Sequence, residues 1–260
     1  ADTHAPNMVT VFLAACATKV ALYVLIRFDY MVFQTKLDDH EIQFAMFLMP
    51  LAILGILIAS AVAMFEGHLK RLLASSSVAQ IGYILLGASF LSLAGLTASA
   101  MHIFNHALAK GGLFLAVACL AYQYRDLRLN QLGGASARMP WTCAAFVVCG
   151  LSLIGVPGTA GFISKWVLIN AALENGAWGW ALVAIILVSS LMAVVYIWRI
   201  VEALYFQEPV EGNDQMSEAP IQILLVTGLV AVLNIYFGLF PQVPLELANS
   251  AAVLLLEGSR

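Results

Sequence analysis

Long apolar runs separated by short polar connections dominate the pattern of this chain. Seven of these runs reach the roughly 20 mostly apolar residues that a membrane-crossing helix needs. They span residues 7–28, 43–65, 74–95, 97–122, 141–174, 178–206 and 221–240. A shorter amphipathic segment at 246–257 follows the last run. The pattern predicts an all-α integral membrane protein with about seven transmembrane helices and no separate soluble domain.

The fifth run is interrupted near its centre by Gly-Val-Pro-Gly-Thr-Ala-Gly at 155–161. Gly155, Pro157, Gly158 and Gly161 in this stretch all disfavour a continuous helix. Neither half of the run is long enough to cross a membrane alone, so we predict one spanning helix that is broken in the middle. Broken helices are common in transporters, where protein or water satisfies the freed backbone groups. An ordinary loop between two short helices is the alternative.

Composition agrees with a chain that is embedded in lipid. Of its 260 residues, 62% are hydrophobic and 10% are charged, and the mean hydropathy is +0.92. Soluble domains carry about 25% charged residues. The net charge of −3 gives no indication of nucleic-acid binding. No haem, iron–sulfur, nucleotide or metal motif occurs, so no cofactor and no metal are expected.

The positions of Lys and Arg predict the orientation, because cytoplasmic loops carry an excess of these residues. Six cations lie near the connections on one side, and they are Lys70, Arg71, Arg125, Arg128, Arg138 and Arg199. Three lie on the other side, and they are Arg27, Lys36 and Arg260. We therefore predict that the first side is cytoplasmic together with the N-terminal end of this chain, and that its C-terminal end lies outside.

Three lysines fall deep inside predicted spans, whereas every arginine is near a helix end or in a loop. These lysines are Lys19, Lys110 and Lys165. A charge in hydrocarbon is costly, so an ionisable group at this depth indicates function. A buried lysine can lose its proton and an arginine cannot, which suits a pathway that binds and releases protons. The alternative is snorkelling, in which the amine reaches the lipid headgroups.

Two histidines share a helix face with one of these lysines. His102, His106 and Lys110 follow the spacing i, i+4, i+8. Because histidine titrates near neutral pH, the row is typical of a proton relay. The alternative is that both histidines make hydrogen bonds between helices, and for His102, nearer the helix end, the two interpretations stay open.

Polar side chains near the start of the third span form a secondary set of candidates. Ser76, Gln80 and Tyr83 either carry bridging water between the titratable groups or serve helix packing. No carboxylate lies deep in any predicted span, since Glu66 and Glu202 are near helix ends. An acid that modulates the lysines is therefore expected from a preceding part of the protein or from a neighbouring subunit.

Four segments spread along the chain match one known pattern together. They are His4-Ala5-Pro6 with Val9, Lys19 and residues 23–28, then residues 70–83, 105–114 and 155–166. These segments resemble the antiporter-like subunits shared by respiratory complex I, membrane-bound hydrogenases and Mrp-type cation/proton antiporters. The resemblance implies a fold of fourteen helices with two inverted repeats, each of which holds one broken helix.

By this resemblance the chain looks like helices eight to fourteen, the C-terminal half of the inverted-repeat antiporter fold. It would form a single transmembrane domain over 1–260, with the second repeat within about 66–206. The chain begins with Ala1 rather than Met, so a preceding part is expected. That part would supply the glutamate and lysine that the family carries in its first repeat.

The resemblance also implies roles for the candidate residues. Lys19 would be the central connecting lysine, His106 and Lys110 would continue the proton path, and Lys165 would end it at the outer exit. Some members of the family carry an acid where Lys165 stands, which leaves the coupling ion open. The stretch 165–203 looks closest to the Mrp D-type subunit.

The expected function is therefore a subunit of a sodium/proton antiporter in a bacterial inner membrane. Its partners would be other membrane subunits, lipids and protons, with Na⁺ as the second ion, and the chain would not be an enzyme by itself. Two alternatives stay open. One is a proton-pumping subunit of a redox complex, and the other is a structural membrane subunit without an ion path.

Overall fold

The computed structural model describes residues 7–30, 41–209 and 217–257. Every regular element in these ranges is helical, which confirms the predicted all-α class. His4, Ala5 and Pro6 of the first motif lie outside the described residues, as do Lys36 and Arg260 from the charge comparison.

Eleven α-helices follow one another along the described ranges. They are α1 (Asn7–Phe12), α2 (Thr18–Phe28), α3 (Glu41–Phe65), α4 (Leu69–Ala88), α5 (Leu93–Gln123), α6 (Ala135–Arg138), α7 (Pro140–Ile154), α8 (Ala160–Leu173), α9 (Gly179–Tyr205), α10 (Ile221–Leu239) and α11 (Gln242–Glu257). A π-helical turn at Leu13–Ala17 joins α1 to α2, so the first predicted run forms one helical rod with a local defect.

Helices lie at each of the seven predicted runs, although they differ in how apolar they are. Four are long and apolar enough to cross a membrane, and these are Phe47–Phe65, Leu93–Gln123, Gly176–Tyr205 and Ile221–Leu239. The broken fifth run forms two shorter apolar helices, Pro140–Ile154 and Ala160–Leu173. Helix α4 is less apolar because it carries Lys70, Arg71, three serines and Gln80.

The predicted bounds of the third and fourth runs were wrong by several residues. Helix α4 begins at Leu69, so Lys70 and Arg71 lie in its first turn rather than in a loop. The connection after α5 fixes this start, since the Leu69 N–H donates to the Leu127 carbonyl at 2.9 Å. Helix α5 begins four residues before the predicted position because the Ser92 hydroxyl caps it by accepting from the Gly95 N–H at 3.1 Å.

Helix α5 is the centre of the bundle. It packs against α1, α4, α7, α8, α10 and α11, and both histidines and Lys110 lie on it inside the protein. Helix α9 packs along α3, where Ser60 and Ser189 share a hydrogen bond of 2.9 Å. Near the end of the same pair, the Arg199 guanidinium donates to the carbonyls of Met64 and Glu66. Polar groups therefore fix the helices that surround the candidate residues.

Candidate functional site

All three candidate lysines point into the bundle. The exposed fraction is 5% for Lys19, 0% for Lys110 and 5% for Lys165. Snorkelling would place each amine at an exposed edge of the protein. The geometry instead gives each amine acceptors within the protein.

Lys110 projects from α5 onto the neighbouring helix α4. Its Nζ donates to the Leu73 carbonyl at 2.6 Å and to the Ser76 hydroxyl at 2.5 Å. The Leu73 carbonyl also accepts from the hydroxyls of Ser76 and Ser77 at 2.9 and 3.0 Å. A fully buried amine is therefore held by neutral oxygens, one of them on a hydroxyl that can itself rotate.

His102 connects α4 to the second half of the broken helix. Its Nε2 lies 2.9 Å from Gln80 Oε1, and its Nδ1 lies 2.9 Å from the Ser164 hydroxyl. Since Gln80 Oε1 is an acceptor, Nε2 donates to it, and Nδ1 is free to accept from Ser164. Ser164 also lies 3.1 Å from the Gly161 carbonyl. Its single proton therefore has two alternative acceptors.

His106 has no such partners. It is buried and stacks on His102, with ring centroids 6.1 Å apart and ring planes 11° from parallel. Neither ring nitrogen has a hydrogen-bond partner in the described part of the chain, and neither does the neighbouring Asn105 Oδ1. Buried polar atoms of this kind are typical positions for ordered water. Hydrogen bonding between helices therefore explains His102 and does not explain His106.

The broken helix places Lys165 at a helix end. Helix α7 stops at Gly155, whose φ of 90° is in the left-handed region that favours glycine. The Lys165 Nζ donates to the carbonyls of Ile154 at 2.8 Å and Leu153 at 3.3 Å, and to the Ser190 hydroxyl at 3.0 Å. The terminal carbonyls of a helix carry partial negative charge, so a cation is favoured there.

The four residues predicted to break the helix, Gly155, Pro157, Gly158 and Gly161, differ in backbone conformation and in surroundings. Gly155 and Gly158 both have positive φ, and Pro157 is exposed at the turn between the half-helices. Gly161 is where the half-helices touch, because an added Cβ would lie 1.8 Å from the Ser152 carbonyl oxygen. The break is therefore a packed turn, and a cavity of about 370 Å³ beside it contains Lys165.

One face of α4 connects these groups. Ser76, Gln80 and Tyr83 follow a spacing of four and three residues, which puts them on the same side of the helix. Ser76 and Gln80 accept from Lys110 and His102 as described above. The Tyr83 ring lies 5.0 Å from the Lys165 Nζ and stands edge-on to His102, with centroids 5.5 Å apart. The secondary candidates therefore lie between the primary ones.

Lys19 lies apart from this face. Its Nζ donates to the Ala14 carbonyl in the π-helical turn and to the Thr18 hydroxyl at 3.3 Å. The π-helical turn that holds its amine packs against α5, the helix that carries His106 and Lys110. The structure therefore places Lys19 near the row without a direct bond to it in the described residues.

Several participants were missed in the sequence analysis. Ser164 and Ser190 hold His102 and Lys165, Asn105 donates to the Ala160 carbonyl at 2.6 Å, and Tyr196 is buried beside α4. Each is a polar residue inside an apolar run, and this feature of the sequence could have identified it as a candidate. Among the described residues, no cluster of His, Cys, Asp or Glu fit to hold a metal ion is present.

Comparisons with known proteins agree on one family. The family described as "NADH:quinone oxidoreductase/Mrp antiporter, TM" matches residues 1–193. NADH-quinone oxidoreductase subunit N of Desulforudis audaxviator is 40% identical over 207 residues, which cover 80% of this chain and 40% of that protein. F(420)H(2) dehydrogenase subunit N of Methanosarcina mazei is 29% identical over 98% of this chain and 52% of its own length.

Two solved structures share the fold over nearly the whole chain. A chain of the Mrp complex from Dietzia sp. DQ12-45-1b has a TM-score of 0.87 at 26% identity, covering 96% of this chain and 54% of that one. A chain of the archaeal membrane-bound sulfane sulfur reductase has a TM-score of 0.87 at 28% identity, covering 99% and 51%. The chain spans about half the length of the curated relatives it matches. This protein belongs to the family of membrane subunits described as NADH:quinone oxidoreductase/Mrp antiporter, TM.

Proposed function

We propose that this chain is part of a proton-pumping, antiporter-like subunit of a redox-driven membrane complex. The subunit N relatives belong by name to NADH-quinone oxidoreductase and to F(420)H(2) dehydrogenase. The curated relatives named above are redox subunits, one of them 40% identical, whereas among the solved structures the Mrp complex, at 26% identity, stands beside the sulfane sulfur reductase at 28%. The redox alternative therefore replaces the Mrp D-type sodium/proton antiporter as the leading interpretation.

The observation that carries this proposal is the row of polar side chains on one face of α4. Ser76, Gln80 and Tyr83 link the environment of Lys110 to that of Lys165 through the contacts given above. A proton can hop along such a set because hydroxyls and imidazoles both accept and donate hydrogen bonds. The acceptors around the amines are neutral oxygens, so no buried carboxylate among these contacts fixes the amine in its charged form.

In this proposal Lys110 and Lys165 store the proton and the groups between them transfer it. Lys110 gives a proton toward the Ser76 hydroxyl. The His102 imidazole, which the Gln80 oxygen orients through Nε2, takes a proton at Nδ1 and exchanges it with the Ser164 hydroxyl. Lys165 then receives it at the break, beside a cavity bordered by the exposed Trp166. Lys19 supplies a further positive charge whose protonation changes the energy of a proton on Lys110.

The test uses the intact complex with Lys110→Ala in sealed, inverted membrane vesicles. We expect proton uptake per electron to fall at least about tenfold in the share carried by this subunit, since a single proton-transfer group commonly contributes 10²-fold or more. The matched control is Arg125→Ala, which removes a cation that is exposed on the connection after α5. Unchanged uptake in Lys110→Ala, with normal assembly, would contradict the proposal and favour a structural subunit.

The same vesicles distinguish the antiporter alternative. Without an electron donor, a Na⁺ gradient should move no protons through a redox-driven pump. Proton movement that follows added Na⁺ and disappears in Lys110→Ala would instead support sodium/proton antiport.

A further inference from the structure

Tyr196 of α9 is a fully buried tyrosine that the proton path above does not use. It is 0% exposed, and its hydroxyl has no hydrogen-bond partner in the described part of the chain. Buried tyrosine hydroxyls usually have a partner, because an unsatisfied one costs about 1–3 kcal/mol. The position of this hydroxyl therefore requires an explanation.

The groups closest to this hydroxyl belong to the α4 face. Helix α9 packs against α4, and the Tyr196 hydroxyl comes near the side chains of Ser76 and Gln80. Ser76 is the residue that accepts from Lys110, and Gln80 is the residue that accepts from His102. Tyr196 therefore lies opposite the gap on α4 between Ser76, which pairs with Lys110, and Gln80, which pairs with His102.

The gap between Ser76 and Gln80 is the least connected part of the row of polar side chains on α4. Ser76 gives its own proton to the Leu73 carbonyl of its own helix, and its oxygen accepts from Lys110. Gln80 Oε1 is used by His102. A hydroxyl that can both donate and accept, placed beside Ser76 and Gln80, supplies the missing connection.

We propose that Tyr196 is a positioning residue that binds water between Ser76 and Gln80 and so joins the Lys110 pair to the His102 pair. The water donates to one side and accepts from the other, and the tyrosine hydroxyl holds it in place. The proton moves through the Ser76 hydroxyl and the water toward the His102 imidazole, while the Gln80 amide orients the water and carries no extra proton. Each O–H bond that breaks is replaced by a new one, so Tyr196 ends in its starting state. This inference rests on the proposed function, because it assumes that the α4 face carries protons.

The main test is Tyr196→Phe in the intact complex, because phenylalanine keeps the ring and removes only the hydroxyl. The matched control is Tyr124→Phe. Tyr124 is also a buried tyrosine whose hydroxyl has no partner in the described residues, and it lies at the end of α5 rather than on the α4 face. We expect Tyr196→Phe to lower the share of protons moved per electron that this subunit carries at least about threefold, with electron transfer and assembly unchanged. Tyr124→Phe should behave as the unaltered complex.

A double variant separates a connecting role from simple packing. If Tyr196 acts through Gln80, then Gln80→Leu combined with Tyr196→Phe should be no worse than the more impaired single variant. Additive losses would mean that the two residues act independently, and they would overturn the inference. Normal proton movement in Tyr196→Phe would overturn it as well.

Lys110→Ala, measured beside these variants, distinguishes a failure of the Tyr196 connection from a failure of the proposed function. If Lys110→Ala loses proton movement and Tyr196→Phe does not, the connection by Tyr196 is wrong and the proposed function stands. If neither loses it, the proposed function itself is wrong.

A high-resolution map of the unaltered complex gives a test that needs no variant to fold. Water within hydrogen-bond distance of the Tyr196 hydroxyl, Ser76 and Gln80 is expected there, and a dry apolar contact would overturn the inference.

Discussion

The three buried lysines are alike in the kind of atom that holds the amine. Each donates to a backbone carbonyl, with Lys19 on Ala14, Lys110 on Leu73 and Lys165 on Ile154. A nearby carboxylate would stabilise the charged amine strongly, whereas a carbonyl accepts a hydrogen bond from the charged and the neutral amine alike. Retaining both states is the property that a proton carrier needs. The burial of Lys110 by itself would fit a structural role, and its acceptors are what make transfer chemically reasonable.

Ser164 offers the sharpest test of a single hydroxyl. It is the partner of His102 Nδ1, and the Gly161 carbonyl three residues earlier is the alternative acceptor of its proton. We expect Ser164→Ala to slow proton movement roughly threefold to tenfold, since removing one hydrogen bond to a buried imidazole corresponds to about 1 kcal/mol. The measurement is proton uptake per electron in vesicles that hold the intact complex.

Ser89→Ala is the matched control for this variant. Ser89 is also buried and donates to a carbonyl three residues earlier, that of Leu86, but it lies at the end of α4 away from His102. Both variants should lose similar stability, and only Ser164→Ala should lose proton movement. Equal effects on proton movement would show that Ser164 has no role beyond packing.

At the scale of elements, the break between α7 and α8 and the face of α4 act together. The break brings the Lys165 amine onto the last carbonyls of α7, and the same half-helix places Ser164 against His102. Helix α4 then spans the distance to Lys110. The glycines and the proline at 155–161 predicted the break correctly, because their backbone preferences are local. The contact of α8 with His102 depends on packing between distant segments, which local preference does not determine.

Gly161→Ala tests how tightly the two half-helices must fit. Its new Cβ would lie 1.8 Å from the Ser152 carbonyl oxygen, so α7 and α8 would have to move apart. We expect a destabilisation of about 1–3 kcal/mol or more, as for other overpacked interiors. Gly228→Ala in α10 is the control, because its Cβ would meet no atom within 4 Å and alanine favours a helix.

Thermal unfolding of the purified complex, followed by loss of this subunit, measures the difference. Gly161→Ala should lower the midpoint and Gly228→Ala should leave it unchanged or raise it. If both glycines tolerate alanine equally, the close contact between the half-helices does not exist in the assembled protein.

At the scale of the whole molecule, the sequence predicted the helices better than it predicted the site. Length and hydrophobicity identify a spanning segment, and these are properties of the residues themselves. The start of α4 was misplaced because the Leu127 carbonyl, from a segment far along the chain, determines it. For the same reason Lys110 and the histidines were identified from one helix, while Ser164, Ser190 and Tyr196 were not. They matter only through neighbours that other helices bring to them.

Several arginines lie together at one end of the bundle. The connections before α4 and after α5 meet at one end, where His68 pairs with Arg128 through the backbone. Arg199 lies at this end, where it donates to the carbonyls of Met64 and Glu66. A surface cavity of about 500 Å³ there is lined by Arg71, Arg128 and Arg199 together with Glu66 and Glu202. Since α7 starts at this end and α8 completes the crossing, the turn at Gly176–Trp178 lies at the opposite end.

This geometry allows the predicted orientation to be tested with two matched cysteine variants. Arg125→Cys lies on the connection after α5, and Trp178→Cys lies on the opposite turn, where the tryptophan is 76% exposed. In a Cys16→Ala background the other cysteines of this sequence, Cys119, Cys143 and Cys149, are buried and should not react. Because positive residues favour the cytoplasmic side, we expect a membrane-impermeant thiol reagent to label Arg125→Cys in inverted vesicles and Trp178→Cys in right-side-out vesicles. The reverse pattern would mean that the cation-rich end faces outward, and proton movement from Lys110 toward Lys165 would then run inward rather than outward.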